Sequence, residues 1–166
     1  MVKRIDTCSG LYTKKVLETF KKPHNYGKIK NADGIGKVGN IVCGDVMHLY
    51  IKVAENKKKE EIIKDIRFET FGCVAAISTS SIITDLAIGK TIKEALKITK
   101  DNVISSLGGL PKIKYHCSVL AVDALVEAIY DYFLKNKKEI PSDLQKKHNI
   151  IQKSKEIIEK RYKKWA

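Results

Sequence analysis

Between Val46 and Val53 the chain alternates: Met47, Leu49, Ile51 and Val53 share one face, His48, Tyr50 and Lys52 the other. A period of two is the mark of a half-buried strand. The preceding segment, 34–42, is glycine and β-branched, and reads as a strand loosened by Gly34, Gly36 and Gly39. The following segment, 62–70, reads as a third strand with Ile62, Ile66, Phe68 and Thr70 inward. The links between them are Cys43-Gly44-Asp45 and a charged tip, 55–60. Links that short favour an antiparallel meander.

The rest of the chain reads as helix. Residues 11–22 form an amphipathic stretch with Leu11, Val16, Leu17 and Phe20 on one face, stopped by Pro23 and a turn containing His24. Residues 74–88 are small and apolar, with Gly89 as C-cap. Thr91 and Glu94 form a capping-box pattern, and Asp101 is placed to cap a further helix to Leu107. Val119, Val122, Leu125, Val126, Ile129 and Phe133 recur at helical spacing in a long helix expected to cross the sheet. After Ile140-Pro141 a last helix carries Leu144, Ile151, Ile158 and Trp165 on one stripe. The expected class is α+β: a small antiparallel three-stranded sheet packed by helices, plus a C-terminal amphipathic helix. The expected division is a flexible segment 1–10, a main domain 11–138 and a basic extension 139–166.

The formal net charge is +13, which makes nucleic-acid binding a rival to weigh. Residues 135–166 hold eleven Lys/Arg against four Asp/Glu, so over half the excess sits in the extension. That distribution reads as a solvated lysine face rather than a binding surface. No apolar run nears the ~20 residues of a membrane span, and residues 1–10 contain no secretory apolar core. A cytoplasmic protein is expected.

The four cysteines are Cys8, Cys43, Cys73 and Cys117. Cys8 lies in a polar segment and reads as a free thiol. Cys43 falls at a strand–strand turn, Cys73 at a strand-to-helix turn, and Cys117 just before the long helix. Lys114 and His116 precede Cys117 closely. A helix N-terminus and a nearby lysine both favour a thiolate, so Cys117 is expected to be more ionised than a free cysteine. Three thiolates plus Asp45 or His116 make a four-ligand set. Such a set suits zinc or an iron–sulfur cluster. Three cysteines with a harder fourth ligand hold a cluster less permanently than four cysteines do, which suits temporary possession. His24 and His48 read as structural or exposed.

Three pieces carry a specific resemblance: Gly36-Lys-Val-Gly-Asn-Ile-Val-Cys-Gly-Asp-Val-Met47, Thr70-Phe-Gly-Cys-Val-Ala-Ala-Ile-Ser-Thr-Ser-Ser81 and Leu110-Pro-Lys-Ile-Lys-Tyr-His-Cys-Ser118. In order and spacing they resemble the IscU/NifU-type iron–sulfur cluster assembly scaffolds, over about residues 11–135. The resemblance implies a SufE/NifU-like fold and a carrier rather than a turnover enzyme. It implies sulfur received as persulfide from a cysteine desulfurase of IscS/NifS type, uptake of Fe2+, and electrons from a donor such as a ferredoxin. The product would be a [2Fe-2S] cluster handed to apo acceptor proteins, with a homodimer around a bridging cluster among the assemblies it allows. By position, Cys43, Cys73 and Cys117 would be ligands, with Asp45 and His116 competing for the fourth place. Asp45 would make the cluster labile. Cys117 would accept sulfur with electrostatic support from Lys114. Zn2+ would occupy the same ligands when no cluster is present.

Lys112 replaces the second proline of the family's chaperone motif, so recognition by an Hsp70-type chaperone is not carried over. The short link from Cys73 to Cys117 and the presence of His116 resemble the IscU branch rather than SufU. The alternative is a zinc-dependent sulfur acceptor of SufU type. Behind it stand a Cys117/His116 nucleophilic enzyme and a basic nucleic-acid-binding module.

Overall fold

The computed structural model describes residues 10–40 and 43–163, except the side chains of 162 and 163. Cys8, Trp165, and Ile41 and Val42 at the end of the first expected strand lie outside the described residues. The elements run in the order α1 (Lys14–Lys21), β1 (Gly34–Asn40), β2 (Asp45–Glu55), β3 (Glu61–Phe71), α2 (Val74–Ala87), α3 (Ile92–Ala95), α4 (Lys100–Ser106), α5 (Tyr115–Lys135) and α6 (Ser142–Lys163). One 3-10 turn, Lys112–Lys114, leads into α5. The three strands pair antiparallel in sequence order, as a meander. Asn40 pairs with Asp45, and Val46 with Phe71. The register therefore brings the β1–β2 turn and the end of β3 to the same end of the sheet.

Met47, Leu49 and Ile51 are fully buried, as the alternation in β2 requires. Tyr50 belongs to the outer face yet is also buried, its hydroxyl donating to Glu69 at 2.9 Å. In β3 the inward set differs from the expectation. Ile63, Ile66 and Phe68 are buried, whereas Ile62 is only half-buried. The cause is a bulge: Lys52 faces Asp65 and Val53 faces Ile63, leaving Lys64 without a partner in the ladder. One extra residue reverses the phase of everything before it.

Helix α5 lies directly on β1. A Cβ on Gly36 would stand 1.9 Å from the Ala124 carbonyl oxygen, and one on Gly34 2.1 Å from that of Ala128. Facing them, Ala121, Ala124 and Ala128 are fully buried. Gly34 and Gly36 therefore do not loosen a strand. They let a strand backbone and a helix backbone touch.

Helix α2 is buried almost throughout and carries five buried hydroxyls, Ser78, Thr79, Ser80, Ser81 and Thr84. Each has a partner, as buried polar groups must. Ser78 donates to the Val16 carbonyl and Thr79 to that of Cys117, while Ser81 accepts the His24 N–H. His24 also pairs with Asp85 at 2.8 Å, which makes it a structural residue of the turn. Helix α1 starts later than expected, after the cap Thr13, and its inward side is Val16 and Thr19 while Leu11 and Phe20 stay exposed. Thr99, not Asp101, caps α4.

Helix α6 folds back along α5. Leu144 is fully buried, His148 pairs with Glu127 at 2.8 Å and stacks on Tyr130, and Gln152 donates to Glu127. Lys146, Lys153 and Lys160 face solvent, so these lysines form a solvated face. No described helix is long and apolar enough to cross a membrane.

The β1–α5 contact yields a direct test. Gly36→Ala should destabilise the fold by about 2–3 kcal/mol, the usual cost of overpacking. Gly39→Ala, whose Cβ meets nothing nearer than 3.6 Å, should stay within about 0.5 kcal/mol of the parent. Urea unfolding of the metal-free protein measures both.

Candidate metal centre

Gly44 adopts φ 73°, a left-handed turn geometry that suits glycine, and its N–H bonds the Asn40 carbonyl at 2.8 Å. The turn sets Cys43 at the surface and sends Asp45 inward, where it is only 3% exposed. Cys73 is the N-cap of α2. Cys117 sits inside the first turn of α5, not ahead of it as the sequence suggested, and is 1% exposed.

These residues converge. The Asp45 carboxylate accepts the Cys73 N–H at 3.3 Å and the Cys117 thiol at 3.7 Å. The Cys73 and Cys117 sulfurs are 3.8 Å apart. His116 Nε2 lies 3.5 Å from the Cys117 sulfur. Two triads result, Cys43–Asp45–His116 and Asp45–Cys73–Cys117, each with its ligand atoms within 4.8 Å of one another. Asp45 is the member common to both.

Protons are unevenly shared. The Cys73 thiol is held down to about 5, chiefly by the hydrogen bond with Cys117, helped by the Ala76 N–H and Lys114 and opposed by burial. The Cys117 thiol is pushed up by that same hydrogen bond, by burial and by the charges of Cys73 and Asp45. One proton thus stays on Cys117 while Cys73 carries the charge. This runs against the expectation that Cys117 is more ionised than a free cysteine. The backbone N–H of α2 and the Lys114 charge serve Cys73, while Cys117 is buried beside two anionic groups. Lys114 is raised, first by the Cys73 charge. Cys43 is raised by burial.

Sequence and structure comparisons give the chain its family. The profile of the NifU-like N terminal domain matches residues 11–139. The chain belongs to that family. It is 60% identical over 128 residues to the iron-sulfur cluster assembly scaffold protein IscU 1 of Archaeoglobus fulgidus, covering 77% of this chain and 80% of that protein. The IscU of Aquifex aeolicus is 44% identical over 124 residues, 75% of this chain and 77% of that one. The fold resembles a Fervidobacterium islandicum protein described as an iron–sulfur cluster assembly scaffold for the SUF system. That likeness has TM-score 0.57 and 25% identity, over 71% of this chain and 96% of that one. The N-terminal part of a NifU-like protein from Brucella abortus shares the fold, with TM-score 0.60 and 20% identity over 75% of this chain and 96% of that one.

Family membership directs attention to what surrounds the five polar residues. Phe71 is 81% and Ile113 73% exposed, and Val46 and Tyr115 are also uncovered. Val46, Phe71 and Tyr115 lie within two residues of Asp45, Cys73 or His116 in the sequence, and Ile113 lies three before His116. Sequence reading missed this apolar rim, and the signal was the breakdown of inward phase at Phe71. It also missed Thr79, whose hydroxyl ties α2 to the Cys117 carbonyl at 3.2 Å.

The proton distribution is testable. In metal-free protein at pH 7, iodoacetamide should label Cys73 ahead of Cys43, with Cys117 last, by site-resolved mass spectrometry. The Cys73 rate should be nearly flat from pH 6.5 to 8, because its thiolate is already formed. The Cys43 rate should climb about tenfold per pH unit, because its thiol titrates above that range. Cys117 labelling first would contradict the assignment.

Proposed function

We propose that this protein is a scaffold on which a [2Fe-2S] cluster is built from iron and persulfide sulfur and then passed to acceptor proteins. The observation carrying the reading is the convergence of Cys43, Asp45, Cys73, His116 and Cys117 on one end of the sheet. Three sulfurs match soft metal chemistry, and a carboxylate and an imidazole compete for the remaining place. The same ligands take Zn2+ when no cluster is present. The relatives named as scaffold proteins support a carrier rather than a turnover enzyme. The domain 11–138 carries this activity, with 139–166 as an extension of it.

Sulfur arrives from a cysteine desulfurase as a persulfide. A thiolate of the Cys73/Cys117 pair attacks the terminal sulfur, and the donor cysteine leaves as its thiolate, so no electrons are gained or lost. Cys73 is the thiolate at rest. Cys117 is the acceptor by family resemblance, and His116 Nε2, 3.5 Å away, is placed to take its proton. Lys114 balances the negative charge nearby. Reduction of persulfide sulfur to sulfide takes electrons from ferrous iron and from a one-electron donor such as a ferredoxin. The exposed rim of Phe71, Ile113, Val46 and Tyr115 offers the desulfurase and the acceptors an apolar surface beside the site. A second copy sharing the cluster would use the same rim. The site of action is the cytoplasm, and neither a membrane nor nucleic acid is required.

The second reading is a zinc-dependent sulfur acceptor of SufU type, using the same ligands; the SUF-system protein that shares the fold is itself described as a scaffold. Anaerobic incubation with ferrous iron, cysteine and a cysteine desulfurase separates the two. The scaffold reading expects iron and sulfide in equal amounts with visible charge-transfer absorption, abolished by Cys43→Ser, Cys73→Ser or Cys117→Ser. Tightly held zinc with persulfide on one cysteine and no cluster would establish the second reading instead. Asp45→Ala should leave the fold intact and lengthen cluster lifetime several-fold, because the imidazole of His116 then completes the set unopposed. A shorter lifetime would overturn the role given to Asp45.

A further inference from the structure

Gly72 separates β3 from the α2 cap, and its φ is not positive. Its backbone is therefore open to any residue, and conformational freedom does not explain a glycine there. Space does. A Cβ on Gly72 would stand 2.7 Å from Asp45 Oδ1, 3.0 Å from Asp45 Cγ and 2.8 Å from the Ala76 Cβ. At the surface-facing Gly39, by contrast, the nearest atom is 3.6 Å away. The Asp45 carboxylate and the Ala76 methyl together occupy the volume that any other residue at 72 would fill, and of the two only the carboxylate can rotate away.

The backbone at 72 is held on both sides. Phe71 pairs with Val46 in the sheet, and the Cys73 carbonyl accepts the Ile77 N–H in the first turn of α2. A side chain rotates more cheaply than two anchored elements move. An added methyl group would therefore turn the Asp45 carboxylate away from the Cys73 N–H and out of both ligand triads.

We propose that Gly72 is a positioning residue whose missing side chain admits Asp45 to the ligand set, and so sets how readily a bound cluster is released. This rests on the metal-centre reading above. Gly72 touches no metal itself. It acts through Asp45, and its effect must vanish when Asp45 is gone.

The test is a double-mutant cycle of the full-length protein, Asp45→Ala, Gly72→Ala and both together. Each protein is loaded anaerobically with ferrous iron and sulfide, and the visible absorption is followed after adding a chelator. Gly72→Ala should lengthen cluster lifetime several-fold in the parent and change nothing further in the Asp45→Ala background. A purely structural lesion would shorten lifetime in both backgrounds. That result, or an unchanged lifetime in the parent, overturns the inference. A second measurement covers a variant that folds poorly. If Gly72→Ala lowers the thermal midpoint of the metal-free protein, Asp45→Ala should restore much of the loss by vacating the contested volume. Equal losses in both backgrounds would place the clash at Ala76 and overturn the proposal. A parent protein that takes up no cluster would instead overturn the metal-centre reading, and the inference with it.

Discussion

The structure depends on a contact between two backbones. Gly34 and Gly36 bring β1 so close to α5 that no Cβ fits between them and the carbonyls of Ala128 and Ala124. Interiors pack too tightly for such a contact to slide, so it fixes α5 along the sheet. The start of α5 is then fixed too, and with it His116 and Cys117. The turn that follows β1 supplies Cys43, and Asp45 opens β2 directly after it. The third support is α2, tied to α5 by the Thr79 hydroxyl on the Cys117 carbonyl and to β2 by the Cys73 N–H on Asp45. Cysteine, aspartate and histidine side chains far apart in sequence meet because three elements are locked to one another.

The assembled site concentrates negative charge. A buried carboxylate, a thiolate and a second cysteine lie within hydrogen-bonding distance of one another. The metal-free protein relieves this by leaving a proton on Cys117 and by setting Lys114 near Cys73. A cation would compensate the same negative charge and release that proton, which couples metal uptake to proton loss. Asp45 is shared by both triads, and the proposed scaffold gives it the exchangeable place. An oxygen ligand among sulfurs is also the poorest match to soft iron–sulfur chemistry. Together these features describe a site suited to temporary possession.

Much of this was legible in the sequence. The alternation of Met47, Leu49 and Ile51 determined the central strand, and the short links determined the meander. The Thr91–Glu94 capping box appears as read. The Cys-Gly-Asp, Gly-Cys and His-Cys-Ser elements pointed to the residues that converge. What escaped depends on tertiary contact. The bulge at Lys64 has no local signature, so Ile63 was misplaced in favour of Ile62. The glycines of β1 read as weakness because their partners lie some ninety residues away in α5. The proton preference of the Cys73/Cys117 pair needs the 3.8 Å separation of two sulfurs that are 44 positions apart in the chain. A helix N-terminus was the right signal, but the first turn that matters most belongs to α2.

The most direct measurement is metal-edge X-ray absorption on protein loaded anaerobically, first with zinc and then with iron and sulfide. The zinc form should show sulfur scatterers near about 2.3 Å outnumbering one lighter atom. Replacing Cys43, Cys73 or Cys117 by serine should each remove one of those sulfurs. A first shell made of nitrogen and oxygen alone, or one indifferent to all three replacements, would contradict the account.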